Sequence, residues 1–289
     1  MNVRVLRYFL VVAREENITK AAQLLHVTQP TLSRQIMQLE EELGVKLFTR
    51  SNHNIILTDE GMLLRRRAQE IVSLAEKTVR DFSSHGEEVS GEISIGCGEL
   101  HSMNCFSSLL SDFRAQYPRI HFDVYSGNAD NIKERMERGL IDIALFAEPV
   151  DVMKYDFYRL DEKEEWGILV HKDAALAEKA SVTPQDLVGV PLISAKRGLV
   201  QNELDHWFGD CANDIEIIST YNLIYNSAIM AKHKIGVLLC IRLDDHYDDL
   251  KFIPLSPKME TGSVIAWKKQ QYYAPAAEAF IRFLKKYKN

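Results

Sequence analysis

Apolar and polar positions alternate along this chain with two periods, and the change from one to the other divides it. In the first thirteen residues Val5, Leu6, Phe9, Leu10 and Val12 recur at helical spacing, until the polar run Arg14, Glu15, Glu16, Asn17 ends the pattern. A second short helix is expected with Thr19 as its cap and Ala21, Ala22 and Leu25 facing inward. Thr28 is the expected N-cap of a third, with Pro30 in its first turn, where a missing N–H costs nothing. Leu32, Ile36 and Leu39 form its inward stripe, and Gly44 stops it. Val45 to Leu57 then alternates around the polar group Ser51, Asn52, His53, Asn54, which predicts a two-stranded hairpin.

Thr58 reads as another cap, with Asp59 and Glu60 at the positive end of the helix that follows. That helix runs to about Ser84 without proline, and Leu64, Ala68, Ile71, Ala75, Thr78 and Phe82 are spaced 4, 3, 4, 3, 4 along it. Such spacing predicts a seam against a partner helix, here a second copy, flanked by Arg65, Arg66 and Arg67. The polar stretch His85 to Ser90 reads as a hinge. From Gly91 the texture becomes alternating strand and helix: EISIG, a helix over Ser102 to Tyr117, IHFDVYS, a helix over Asn128 to Arg138, IDIALF, and later WGILVH, PLIS, IEIIST and IGVLLCI. Helices are expected at Pro184 to Leu187, Gln201 to Phe208 and Ala274 to Lys288. This predicts an α/β unit with a largely parallel sheet.

Bulk composition narrows the function classes. The chain has 289 residues, 46% of them hydrophobic, enough for two or three domains. Its longest apolar stretches fall far short of the roughly 20 residues a bilayer crossing needs, and no cleavable leader is recognisable, so a cytoplasmic chain is expected. The net charge is −6, yet residues 1–58 carry seven Lys/Arg against five Asp/Glu, so a polyanion should meet that end. Cys97, Cys105, Cys211 and Cys240 have neither C-x-x-C nor histidine spacing, which suggests reduced thiols without a disulfide framework or metal site. No G-x-S-x-G, H-E-x-x-H or P-loop pattern occurs, GCGELH lacks the third glycine of a dinucleotide loop, and no cofactor or catalytic residue is expected.

The second and third helices, joined by a tight turn and followed by a wing-like hairpin, form a helix-turn-helix pattern. The start of the second helix of such a pair enters the major groove of double-stranded DNA, which gives Thr28, Gln29, Pro30, Thr31, Ser33, Arg34 and Gln35 access. Gln29 or Gln35 suits an adenine edge, and Arg34 a guanine or a phosphate. Arg50, Ser51, Asn52, His53 and Asn54 on the wing, and the Thr19 hydroxyl, suit phosphate or minor groove.

The segment NITKAAQLLHVTQPTLSRQIMQLEEELGVKLFTRSNHNIILTDEG resembles the winged helix-turn-helix of LysR-type transcriptional regulators. The matching positions are Ala21, Ala22, Leu25, Gln29, Pro30, Ser33, Leu39, Glu40, Leu43, Gly44, Leu47, Phe48, Arg50, Leu57, Thr58 and Gly61. The resemblance extends along the whole chain and implies an α+β multidomain protein: a DNA-binding domain over 1–58, a linker helix and hinge over 59–90, and an effector domain over 91–289 similar to type 2 periplasmic binding proteins. It further implies two effector subdomains, 91–160 with 264–289 and 161–263, with a small molecule between them, and dimers pairing into tetramers on a roughly palindromic site.

By matching position, the ligand-facing candidates are Gly98, Glu99, His101, Ser126, Gly127, Asn128, Phe146 and Ala147 from the first subdomain, with Ser194, Lys196, Arg197, Tyr221 and Asn222 from the second. The sequence departs from the family in two places. Gly98 beside Glu99 stands where many relatives have a serine, and Cys105, Phe106, Ser107 replace the usual Leu-Leu-Pro. A carboxylate added at the cleft disfavours a dianion and favours an amine-bearing, neutral or aromatic ligand, although Lys196 and Arg197 could still hold a carboxylate. Two other readings compete: a solute-binding protein whose first ninety residues only dimerise, and a thiol-redox sensor using Cys211 or Cys240.

Overall fold

The computed structural model describes residues 1–51, 54–82, 89–243 and 247–287, and the chain divides into two compact units, Met1–Ser83 and Ser84–Asn289. In the first unit α1 (Val3–Glu15) opens at Asn2 and closes at Glu16 in the left-handed region. α2 (Ile18–Leu24) is capped by Asn17 rather than Thr19. Asn17 has extended backbone, and its side-chain oxygen accepts the Lys20 N–H at 3.0 Å. Thr19 lies already inside the helix, where its hydroxyl has no orphan donor to meet. α3 (Gln29–Leu43) starts at Thr28, carries Pro30 in its first turn and ends at Gly44, whose φ of 70° is open to glycine at little cost. β1 (Phe48–Ser51) and β2 (Asn54–Leu57) pair antiparallel. The turn residues Asn52 and His53 lie outside the described residues.

Leu6, Phe9, Leu32, Leu39, Leu47 and Ala68 are each at most 1% exposed and belong to one core. Phe9 and Phe48 bring their ring centres to 5.3 Å, so α1 holds the wing. α4 (Asp59–Phe82) begins where the Gly61 N–H donates to the Thr58 hydroxyl at 3.0 Å. Its inner face packs against α1. Here the six-residue seam needs correction, because Ala68 is a core residue and Leu64 packs on the same core. Ile71, Thr78 and Phe82 are exposed, Ala75 half so, and Met62, Leu63, Leu74 and Val79 join the outward apolar set. In the first turns Leu64 and Ala68 pack on their own domain while Met62 and Leu63 are exposed, and in the later turns Ile71, Leu74, Val79 and Phe82 are exposed. Most of the hinge expected at His85 to Ser90 falls outside the described residues.

The second unit is built on two sheet halves sharing one strand. β3 (Gly91–Cys97) pairs in parallel with β4 (Ile120–Ser126) and β5 (Ile143–Ala147). α5 (Met103–Gln116) and α6 (Ala129–Glu137) make the crossovers. β6 (Tyr155–His171) pairs antiparallel with β11 (Glu260–Lys268) as far as Glu165. From Trp166 onward it pairs instead with β9 (Val237–Ile241) and β10 (Leu250–Pro254). β7 (Pro191–Ala195), parallel to β9, and β8 (Glu216–Tyr221) complete the second half. The sheet is therefore mixed rather than largely parallel, since β6, β10 and β11 all run against their neighbours.

The sequence places the passage between lobes at 160/161; in the structure β6 runs 17 residues through that point and its pairing changes between Glu165 and Trp166. The first lobe has a core on each sheet face: Phe106, Phe113 and Phe280, the last from α10 (Pro275–Tyr287), on one, and Ile132, Met136 and Phe146 on the other. Ile168, Leu192 and Leu238 centre the second lobe, with α7 (Pro184–Leu187), α8 (Gly198–Phe208) and α9 (Ile224–Lys232) around it.

Candidate functional site

Along α3 the inward stripe Leu32, Ile36 and Leu39 is buried, and burying it turns the opposite edge outward. Thr28, Gln29, Pro30, Thr31 and Arg34 are exposed, and Ser33 and Gln35 are half-buried between them. The edge is internally ordered. Gln29 Nε2 donates to Ser33 Oγ at 2.9 Å, Gln35 Nε2 to Gln38 Oε1 at 3.0 Å, and the Thr28 and Thr31 hydroxyls lie 2.8 Å apart. Such bonds hold side chains extended along the helix instead of free in solution, so less entropy is lost when they meet a partner. The Arg34 guanidinium makes no ion pair with a described residue and projects one full positive charge from the first turns. Thr19 is exposed on α2. Arg50 and Ser51 contribute backbone to β1, while Asn52 and His53 lie outside the described residues.

Glu40 fixes the angle of this edge from behind. Its carboxylate is 7% exposed and accepts the Leu47 N–H at 2.9 Å and Lys46 Nζ at 2.7 Å. Burial opposes its charge, but these bonds, with that of the Phe48 N–H, outweigh it and hold the carboxyl below its ordinary range. The residue thereby ties the end of α3 to the start of β1.

In the second unit a cavity of about 110 Å³ lies between the two lobes. Gly98, Glu99, Gly127, Asn128, Phe146 and Ala147 line it from the first lobe, and Arg197, Tyr221 and Asn222 from the second. The structure thus brings nine of the thirteen expected residues to one place. Lys196 stands outside them, on an outer recess of the cleft that also includes Asn128, Arg197 and Asn222. His101, Ser126 and Ser194 lie off the cavity wall. The His101 N–H donates to Glu164 at 2.9 Å, Ser126 bonds the Cys97 thiol, and Ser194 is 1% exposed inside β7. Each is turned from the cleft by strand alternation or by a bond within its own lobe.

Tyr221 offers the cavity a ring rather than a hydroxyl, because its Oη donates to the Leu239 carbonyl at 3.0 Å. Burial, with Cys240 and Glu99 nearby, raises that phenol well above its usual range.

Two polar bridges cross between the lobes beside the cavity. Arg197, at the start of α8, donates from Nη2 to the Pro149 carbonyl at 3.0 Å and places Nε 3.5 Å from Asp130. Burial lowers its pKa, a shift that the nearby Asp130 charge opposes. In the other direction Glu99 Oε2 accepts the N–H groups of Ile224 and, at 3.2 Å, Tyr225, which open α9. A third carboxylate, Glu164 on β6, is 0% exposed, caps the start of α5 by accepting the His101 and Ser102 N–H groups, and also accepts the Ser263 hydroxyl of β11. Sequence reasoning did not single out Glu164, nor Glu148, Trp166, Val200 and Ile224 of the cavity wall. Glu148 alone carried a usable signal, as a single charge after an apolar strand, whereas Glu164 is hidden within the charged run Asp161 to Glu165.

All four cysteines are free thiols. Burial raises the pKa of Cys97, Cys105 and Cys240, and Glu162 and Asp161 push Cys105 further the same way. Among the described residues no cluster of side chains suited to a metal ion occurs, and no helix is long and apolar enough to cross a membrane.

One chain thus carries an ordered helix-turn-helix edge and a two-lobed α/β unit with a cleft, the parts of a regulator that contacts DNA and has a separate ligand-binding domain. Comparison with known proteins bears on this directly. Residues 3–62 match the family described as bacterial regulatory helix-turn-helix protein, lysR family, and residues 86–288 match the LysR substrate binding domain. The chain belongs to the LysR family of transcriptional regulators: it is a DNA-binding regulator with an effector-binding domain, not an enzyme. It is 30% identical to the HTH-type transcriptional activator IlvY of Salmonella typhimurium over 72% of this chain and 71% of that one. It is also 30% identical to the Bacillus subtilis HTH-type transcriptional regulator YwbI, over 99% and 97%. The crystal structure of CbnR, a LysR family regulator, superposes with a TM-score of 0.79 at 20% identity, with 99% of each chain covered, and so shares the fold.

Proposed function

We propose that a small-molecule effector binds in the cavity between the lobes of the second unit and shifts the populations of two lobe arrangements, thereby changing how paired copies of α3 engage DNA. The observation that supports this is the cavity itself, walled mainly by apolar side chains of both lobes and flanked by bridges that cross between them. A ligand that alters either bridge has a differential interaction with the two arrangements, which is the requirement for a switch.

Two copies pair along the exposed later turns of α4, where Ile71, Leu74, Val79 and Phe82 face outward, and dimers pair into tetramers as the family resemblance implies. The DNA site is then roughly palindromic, with half-sites about one helical turn apart or a multiple of it. Gln29, Thr31, Ser33, Arg34 and Gln35 meet base edges or phosphate in the major groove, and the wing residues Arg50 to His53 meet the backbone. The reading accords with a relative of the same fold, CbnR, whose full-length structure is a complex with its target DNA. The protein acts in the cytoplasm.

The test is a thermal-shift screen of the full chain against amino acids, amides and aromatic compounds, repeated on Val200→Trp, which fills the cavity wall. A ligand at about 100 times its Kd stabilises the binding state by about 2.7 kcal/mol. Loss of the shift in the variant supports the cavity, and an undiminished shift in the variant contradicts it.

A further inference from the structure

Glu99 is the anion that α9 would otherwise take from a ligand. The first N–H groups of a helix have no partner within it and favour negative charge. In this chain α9 follows Leu223, which gives no side-chain cap, and the carboxylate that takes the Ile224 and Tyr225 N–H groups comes from the opposite lobe. Glu99 is therefore both a wall of the cavity and a bridge across it.

The remaining chemistry of the wall points the same way. Its charged side chains are Glu99, Glu148 and Arg197; Glu148 is paired with Arg159 and Arg197 is held by Pro149 and Asp130, which leaves Glu99 as the carboxylate without a cationic partner among the described residues. Trp166 contributes to the wall and is 5% exposed. Most of the other wall is apolar, including Ile132, Leu145 and Val200.

From these observations, and resting on the effector reading above, we propose that Glu99 sets ligand charge: the cavity takes a small, mostly apolar, non-anionic molecule with a hydrogen-bond donor for Glu99, and excludes the matching carboxylate. A carboxylate entering the inner end would meet the Glu99 charge and find the α9 amides occupied. A primary amide of the same shape presents N–H to the Glu99 carboxylate.

Isobutyramide and isobutyrate, nearly isosteric and different in charge, are the probes. The full chain is titrated with each by calorimetry, and hydrogen exchange is followed by mass spectrometry in peptides spanning residues 222–228. The wild type is expected to bind isobutyramide at least tenfold more tightly than isobutyrate. In Glu99→Ala the start of α9 exchanges faster, isobutyrate restores its protection, and the preference falls at least tenfold. Glu99→Gln, which keeps a cap without a charge, loses most of the preference while the start of α9 stays protected, a pattern that separates charge selection from damage to the fold. Equal affinity for both probes in the wild type, or an unchanged preference in both variants, overturns the proposal and leaves the cavity as the effector site. Probes that protect only peptides outside the cavity, in wild type and variants alike, overturn the effector reading and this inference with it.

Discussion

Glu40 shows how one side chain carries a structural and a functional burden together. Its carboxylate closes the junction between α3 and the wing by accepting the Leu47 N–H, the Phe48 N–H and Lys46. Removing it orphans buried backbone donors, so Glu40→Ala should destabilise the first unit by about 1–3 kcal/mol at neutral pH, measured by urea unfolding. Because the folded-state pKa is depressed, the stabilisation is fully present above the unfolded carboxylate range of about 4 and is lost as pH falls through the lower folded value. The gap between wild type and Glu40→Gln should therefore close on acidification, and a gap constant from pH 7 down to pH 3 would remove the ionised carboxylate from the account. Arg34 is the converse case, exposed and without an ion pair among the described residues, so Arg34→Ala should leave the unfolding midpoint within about 0.5 kcal/mol of wild type. DNA affinity should fall by about 1–3 kcal/mol if the guanidinium forks onto a base. A gel-shift titration reads that loss, and unaltered affinity would take Arg34 off the DNA face.

At the scale of elements, close packing decides where the helices sit. α4 passes so near the wing that a Cβ on Gly61 would lie 2.1 Å from the Leu47 carbonyl oxygen and 2.9 Å from the Leu57 side chain. Gly61→Ala must push α4 away from the hairpin and should cost about 1–3 kcal/mol of first-unit stability, with a reduced thermal midpoint as the readout. The outward stripe of α4 has the opposite role. Phe82 is 73% exposed and Val79 68%, a cost in solvent that a second copy would remove. Ile71→Glu with Phe82→Glu should weaken self-association by at least tenfold in sedimentation experiments without altering far-ultraviolet circular dichroism, and a dimer of unchanged affinity would move the interface elsewhere.

The same scale explains which elements could be read from residue order. α3 was legible because all its signals are local: Thr28, Pro30, Gly44 and the stripe Leu32, Ile36, Leu39 lie within one stretch. α9 was not, because its cap arrives from Glu99, 125 residues earlier, and nothing next to Leu223 announces a helix. The first half of β6, DFYRLDEKEE, carries no clear strand alternation, and that part of the strand has β11 on one side only and stands at the edge of the first lobe. Likewise Leu64 and Ala68 followed the spacing of a partner seam, yet one helix can satisfy such spacing first against its own domain.

For the whole molecule the central claim is that the exposed edge of α3 reads double-stranded DNA, and that this belongs to a chain whose other unit holds the effector. Much of the cavity between the lobes is legible as residues at strand ends, Gly98, Gly127, Asn128 and Ala147 among them, because ligands in α/β folds gather where strands stop and helices start. Its electrostatic character was only half visible. Glu99 stood out as a charge, but its engagement with α9 depends on the second lobe folding across the first, which residue order does not display.

The most direct test is selection of fragments from a random duplex library by the full chain, with affinities then measured across a salt series. The account predicts enrichment of one two-fold repeated motif, affinity that falls log-linearly with salt as phosphate counterions are released, and loss of the motif in Ser33→Ala with Arg34→Ala. Recovery of no common sequence, or recovery of the same motif by the double variant, would contradict it.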